Sequence, residues 1–273
     1  MTDTERDVKI VRDRDRPSGH TLRIGGTDQS YVDLDDPRRL EFDYVQRIAD
    51  VIDGFGEPAE PVRIVHVGGA GLTLPRYVAA TRPRSAQVVL EPDEEVTALV
   101  REHLPLPRNS GIKIRPVDGR TGIAALRDDF ADIVVVDAFD GARIPAELGT
   151  AEFYADLARV VAPGGLVLAN LADRAPFPYV RRVVRGVLDS FAEVMLSAEP
   201  ATLKGRRLGN VLAVASQSEL PWQQLSRRAA SSPFPYRVIP HETVVETFAA
   251  KTAWTDEDSA QSPPKLEGAT FFT

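Results

Sequence analysis

Two carboxylates three residues apart, Asp137 and Asp140, follow directly on the apolar run Ile133-Val134-Val135-Val136. A strand so uniformly apolar is buried in a parallel sheet, and carboxylates at its exit face whatever binds at the sheet edge. Such a pair can take a proton from an incoming amine and hold its positive charge; the alternative is that Asp137 only caps a loop. Three further strand exits carry residues suited to a nucleoside. The run 62–67 ends in Gly68-Gly69-Ala70-Gly71. Glycines there either form a plain tight turn or let the backbone approach a ligand beside a helix N-terminus. The run 86–90 ends in Glu91, about 20 residues past the glycines, where an acid accepts hydrogen bonds from ribose hydroxyls unless it caps the next helix. The run 112–117 ends in Asp118-Gly119. Asp118 can accept from an adenine amino group or cap the following helix. In series these exits favour an adenosine-containing ligand. No third glycine follows Gly71, which favours an S-adenosylmethionine-type ligand over a dinucleotide.

The elements that must position these residues are legible as a change of period. Short turns at Pro17-Ser18-Gly19 and Gly25-Gly26 separate brief stretches that read as β-hairpins. Asp35-Asp36-Pro37 reads as a helix start, with Leu40, Tyr44, Ile48, Val51 and Ile52 at helical spacing through Asp53. From residue 62, the β-branched runs 62–67, 86–90, 112–117, 133–136 and 166–171 alternate with helical stretches at 73–80, 94–103, 121–127, 151–161 and 179–190. That alternation predicts a parallel sheet covered on both faces. Two last runs, 193–196 and 210–215, predict an antiparallel pair at one edge. The tail from Ser216 is rich in Ser, Pro and Asp. It predicts one helix near 243–251 and a loose end through Ser262-Pro263-Pro264. The division expected is 1–60 as hairpins plus a linking helix, 61–216 as the sheet domain and 217–273 as a C-terminal extension.

Composition narrows the function classes. Among 273 residues, 43% are hydrophobic and 27% charged, enough apolar material for a sizeable core. The net charge of −7 argues against a nucleic-acid binder. Residues 1–60 hold 9 basic and 15 acidic side chains, so the acidity is mostly N-terminal. Cysteine is absent, which removes disulfides, thiolate chemistry and Cys-ligated zinc. The four histidines, His20, His66, His103 and His241, have no metal-ligand spacing, so no metal is expected. His66, inside an apolar strand, is expected to be a satisfied core histidine. The Arg181-Arg182-Arg185 and Lys204-Arg206-Arg207 clusters are expected to be solvated faces. Trp222 and Trp254, which flank the tail region, are expected to anchor it by apolar packing rather than to stack on bases. Phe177-Pro178-Tyr179 is either pocket lining or loop packing. No run reaches the ~18 apolar residues of a spanning helix, and the charged N-terminus is not a signal peptide. A cytoplasmic protein without membrane or nucleic-acid partners is expected.

From about residue 19 to 216 the chain resembles the spermidine synthase (aminopropyltransferase) family. The likeness rests on Gly25-Gly26-Thr27-Asp28-Gln29-Ser30 closing a hairpin, Glu41-Phe42-Asp43-Tyr44, the loop Gly68-Gly69-Ala70-Gly71, Glu91, Asp118-Gly119, Asp137 through Asp140, Glu152-Phe153-Tyr154 and Ala162-Pro163-Gly164-Gly165. The resemblance implies a Rossmann-like doubly wound sheet of the class I S-adenosylmethionine-dependent methyltransferase type, with a small N-terminal β-hairpin region. It implies aminopropyl transfer from decarboxylated S-adenosylmethionine to an amine such as putrescine, without a metal. Asp137 is then the general base, Tyr44 and Asp140 orient the amine, and Gln29, Gly68, Gly69, Gly71, Glu91, Asp118 and Gly119 bind the co-substrate. The chain departs from the family at Ala70, where the glycine loop carries an Asp for the aminopropyl amine. It departs again at Val45 and Gln46, where His and Glu stand near the diamine. A buried ammonium without a matching carboxylate is costly. The alternatives are therefore a methyltransferase using intact S-adenosylmethionine on an unknown acceptor, or a non-catalytic adenosine-ligand-binding homologue. The hairpin edges suit pairing between subunits, so a homodimer is expected.

Overall fold

The computed structural model describes residues 7–264. The chain opens with β1 (Val8–Arg12), β2 (Gly19–Ile24) and β3 (Thr27–Asp33), an antiparallel sheet in that order. Gly25 and Gly26 make the β2–β3 turn, as the sequence suggested. The linking helix α1 (Asp43–Asp53) begins later than the expected start at Asp35. The backbone N–H groups of Asp35 and Asp36 donate to the Asp33 carboxylate, and that of Arg38 to Asp36. These bonds hold residues 35–38 in tight turns in place of an earlier first helical turn. Leu40 therefore lies outside α1, while Val45, Ile48, Val51 and Ile52 still form its buried stripe.

The rest alternates strand and helix: β4 (Arg63–Val67), α2 (Thr73–Thr81), β5 (Ala86–Leu90), α3 (Glu94–His103), β6 (Ile112–Arg115), α4 (Gly119–Ala124), β7 (Ala131–Val136), a short 3₁₀ turn at Ala146–Leu148, α5 (Ala151–Val160), β8 (Val161–Asp173), α6 (Pro178–Ser190), β9 (Glu193–Ala198), α7 (Pro200–Leu203), β10 (Gly209–Ser216), α8 (Trp222–Ser231), β11 (Arg237–Ile239) and α9 (His241–Thr247). They form an eight-stranded sheet in the order β11-β9-β10-β8-β7-β4-β5-β6. Strands β4 to β8 pair in parallel, and β10 and β9 add antiparallel strands at one side as expected. The tail holds more order than its composition suggested. It supplies α8 and also β11, which pairs with β9 and becomes the edge strand.

Successive strand residues point to opposite faces, so β7 sends Val134 and Val136 to one core and Ile133 and Val135 to the other. The first core packs under α5 and α6, and the second under α1, α2 and α8. A smaller core of Leu22, Val32, Leu72, Val89, Val96 and Val100 joins the hairpin sheet to β5 and α3. Chain order reverses between β4 and β7: β5 and β6 lie on one side, β8 beyond the other. Loops leaving strands on either side of such a reversal diverge and open a crevice. No helix among the described residues is long and apolar enough to cross a membrane.

Candidate active site

The crevice is a cavity of about 380 Å³ at the exits of β4, β5 and β7, roofed by β3 and the start of α1. It is large enough for a nucleoside-sized ligand. Of its described lining residues, Glu91, Asp93, Asp118, Asp137, Asp140 and Glu147 are carboxylates and none is Lys or Arg. Gln29, Tyr44, Gly68, Gly69 and Gly119 also line it, so nearly all the residues singled out in the sequence meet here.

Gly68 adopts φ +93, and a Cβ there would lie 2.3 Å from the Asp137 carbonyl oxygen. Only glycine allows β4 to turn so close to the exit of β7, where Asp137 N–H donates to Val67 O at 2.9 Å. Gly71 stands apart from the lining. It packs behind the loop against Ser30, whose Oγ accepts its N–H at 3.1 Å, and a Cβ would meet Ser30 Cβ at 2.7 Å. Gly71 therefore holds the loop to β3 and does not face the cavity.

Glu91 Oε2 accepts the N–H groups of Gly69 at 2.9 Å and Ala70 at 3.1 Å, and Oε1 accepts that of Asp93 at 3.0 Å. The helix-capping alternative for Glu91 falls to Asp93 instead, which caps α3 through Val96 N–H. Asp118 does cap α4, accepting Thr121 N–H at 2.8 Å, and this bond holds its pKa below the ordinary value. It lines the cavity at the same time, so capping and facing the ligand are compatible.

Asp137 is the most perturbed carboxylate in the cavity. Burial pushes its pKa up to about 6, against the opposing hydrogen bond from Asn170. Asn170 Nδ2 donates to Asp137 Oδ1 at 2.8 Å. Only the NH₂ end of the amide can donate to a carboxylate, which fixes the Asn170 orientation. Its Oδ1 is then left buried with no hydrogen-bond partner among the described residues. Asn170 also lines a second, smaller hollow with Asn210, Asp28 and Ala142, which shares Gln29, Tyr44 and Phe139 with the main cavity. Tyr44 stays protonated, its pKa raised well above the ordinary value first by burial and then by the nearby Asp137 charge. Asp140 sits at the exposed rim on a tight turn closed by reciprocal backbone bonds with Arg143 of 2.7 and 3.0 Å.

Asn170 escaped the sequence reading, although a polar residue interrupting the apolar run of β8 was a signal for it. Of the departing residues, Ala70 and Val45 line the cavity. The Gln46 side chain instead donates to Leu40 O at 2.6 Å. His66 is held in the core as expected, but it is only half satisfied, with its Nδ1 buried and no hydrogen-bond partner for it among the described residues. Gln87 spends its NH₂ on Pro75 O, so its Oε1 accepts from His66 Nε2–H at 3.0 Å. Burial lowers the His66 pKa to about 4, which keeps the ring neutral. Phe177 and Tyr179 do not line the cavity but pack in tilted contact with Phe248 and Trp254, so Trp254 anchors the tail as expected, whereas Trp222 stays exposed.

No family model matches the chain. It is 27% identical over 216 residues to the polyamine aminopropyltransferase of Chromobacterium violaceum, covering 77% of this chain and 78% of that one. The crystal structure of a probable spermidine synthase from Corynebacterium glutamicum superposes with a TM-score of 0.86 at 30% identity, covering 93% of this chain and 94% of that one. Human methyltransferase-like protein 13, solved with SAH, shares the fold at a TM-score of 0.55 and 15% identity, over 78% of this chain and 95% of that one.

Proposed function

Since the chain belongs to the spermidine synthase family of polyamine aminopropyltransferases, we propose that it transfers an aminopropyl group from decarboxylated S-adenosylmethionine to an amine such as putrescine. The observation that carries this reading is Asp137: a buried carboxylate with its pKa near 6, at the exit of β7, in a cavity whose described lining includes carboxylates and no Lys or Arg. Both reactants are cations, an ammonium and a sulfonium, and such a lining attracts both.

Glu91 and Asp118 retain lone pairs beyond their backbone bonds, for ribose hydroxyls and the adenine amino group respectively. Gly68, Gly69 and Gly119 let the backbone approach the nucleoside, and Gln29 closes over it from β3. Asp137 accepts a proton from the acceptor ammonium, and Tyr44 and Asp140 orient the resulting amine. The freed lone pair attacks the aminopropyl carbon bonded to sulfur. The C–S bond breaks with its electron pair going to sulfur, and neutral methylthioadenosine leaves. Asp137 then returns its proton to solvent. A base near pKa 6 is ionised at neutral pH yet more basic than an ordinary carboxylate, which suits the transfer. The sulfonium is already activated, so positioning and deprotonation are the protein's main tasks. The enzyme is proposed to act in the cytoplasm as a homodimer paired through the hairpin edges, a state that sedimentation would check.

Incubation with decarboxylated S-adenosylmethionine and putrescine, cadaverine or spermidine should release methylthioadenosine, read by mass spectrometry. No product from a folded protein across that set would sink the proposal. Ala70 favours one second reading, methyl transfer from intact S-adenosylmethionine. It leaves no carboxylate in the glycine loop to repel the methionine carboxylate. Calorimetry separates the two: tighter binding of S-adenosylhomocysteine than of methylthioadenosine supports methyl transfer, and the reverse order supports aminopropyl transfer.

A further inference from the structure

The end of the described chain, expected to be loose, is a strap. Beyond α9, Ala250 N–H donates to Arg181 O at 3.0 Å. The Arg182 guanidinium lies 3.5 Å from the Trp254 ring centroid and donates to Ala253 O at 2.8 Å. Trp254 O accepts the first N–H of α5, from Ala151, at 2.8 Å. The strap then reaches both rims of the cavity. Asp256 accepts from Arg120 at 2.8 Å and from Thr150 Oγ1 at 2.7 Å, and Arg120 directly follows Asp118-Gly119. Ser262 is fully buried. Its Oγ accepts Ile144 N–H at 2.9 Å, and its own N–H donates to Ile144 O at 3.4 Å. Beside it, Gln261 Oε1 accepts from Arg143 at 3.1 Å.

Arg143 and Ile144 are the foot of the Asp140 turn. That turn contains Ala142 at φ +67, a conformation that a residue with a Cβ keeps only when its surroundings impose it. The buried Ile144 N–H has Ser262 Oγ as its partner. Without that oxygen, the turn must shift or leave a buried donor unmatched. We propose that the C-terminal strap positions the Asp140 turn over the acceptor end of the cavity, with Ser262 and Gln261 acting through Ile144 and Arg143. Asp256 steadies the nucleoside rim through Arg120. What the turn covers rests on the transferase reading; the coupling of strap to turn does not.

The test compares Ser262→Ala, Gln261→Ala and Asp256→Asn in the full chain. Hydrogen exchange should quicken in the segment 138–148 for the first two variants, with the rest of the chain unchanged. Their KM for the amine should rise, by about tenfold for Ser262→Ala, the scale of one lost buried hydrogen bond, and by less for Gln261→Ala, whose bond to Arg143 is exposed, with kcat and methylthioadenosine affinity within about twofold. Asp256→Asn should instead weaken methylthioadenosine binding. Gln261 is exposed, so its variant keeps the test open if Ser262→Ala folds poorly. Unchanged exchange in 138–148 overturns the proposal. So does a joint change in KM, kcat, nucleoside affinity and Tm, the mark of packing alone. If the unaltered protein turns over no amine, the transferase reading fails by itself and the exchange result alone decides the strap.

Discussion

The burial that makes Asp137 costly to ionise is also what suits it to the proposed role of base. Its pKa lies near 3.8 in the unfolded chain and about 6 in the fold. Between those values the native state holds a proton that the unfolded chain has released, so stability falls as pH rises through that window. Above it, the buried charge costs up to about 3 kcal/mol. Asp137→Asn should therefore raise Tm near pH 7.5, with the gain shrinking towards nothing near pH 4. The same change should lower kcat by about 10²–10⁴, the usual worth of a positioned base. A loss of activity accompanied by a lower Tm at neutral pH would mean that the carboxylate holds structure. In the unaltered enzyme kcat/KM should rise with pH through an apparent pKa near 6, as Asp137 loses its proton and becomes able to accept another; a flat profile from pH 5 to 8 would remove Asp137 as the base. Asp137 and Glu91 were legible in the sequence because an ionisable residue at the exit of an apolar strand has few structural reasons to be there. Asn170 was not, because its importance lies in a contact with Asp137 across two strands.

At the scale of elements, the sequence yields what is periodic and local. The parallel strands from β4 to β8 were read from runs of β-branched residues, and the hairpins from their glycine turns. Three elements were misread for physical reasons. The start of α1 slipped because Asp33 and Asp36 bind backbone N–H groups in successive turns. Strand β11 is three residues long and gains its place only by pairing with β9. The strap has no periodicity, and its order comes from side chains such as Trp254 and Ser262 meeting distant partners. The glycine loop is the element where shape is most constrained. Gly68→Ala places a methyl group against the Asp137 backbone in a left-handed conformation. It should destabilise the fold by at least about 1–3 kcal/mol in urea unfolding and weaken methylthioadenosine binding well beyond that of Gly141→Ala. Gly141 also has positive φ but open space around it, so it separates backbone strain from collision. Equal effects of the two substitutions would show that closeness to Asp137 does not matter.

At the scale of the molecule, the described residues form two sheets with the cavity at their junction. Gln29 and Ser30 come from the hairpin sheet, and Glu91, Asp118 and Asp137 from the exits of the large one. Most of the net negative charge sits in the first 60 residues. The hairpins themselves are balanced, with five acidic and five basic side chains over residues 7–33, so the attraction for a cationic ligand comes from the carboxylates that line the cavity. The junction itself is modest, a small apolar cluster around Leu22, Val32 and Val89 with the Gly71–Ser30 bond and a bond from Thr73 Oγ1 to Tyr31 O at 2.8 Å. A ligand held by both sheets should therefore stabilise the molecule as one unit. At about 100 times Kd, any ligand confined to the native state adds about 2.7 kcal/mol, which for a chain of this size raises Tm by roughly 5–10 °C. Decarboxylated S-adenosylmethionine and its neutral product methylthioadenosine should both reach this shift at equal multiples of Kd. The cationic co-substrate should do so at lower concentration, by an advantage that fades as salt is added. Hydrogen exchange should slow in β3 as well as in the glycine loop, since Gln29 lines the same cavity as Gly68 and Gly69. Protection confined to the large sheet would mean that the hairpins do not close on the ligand, and an affinity order insensitive to salt would mean that the acidic lining does not select for cations.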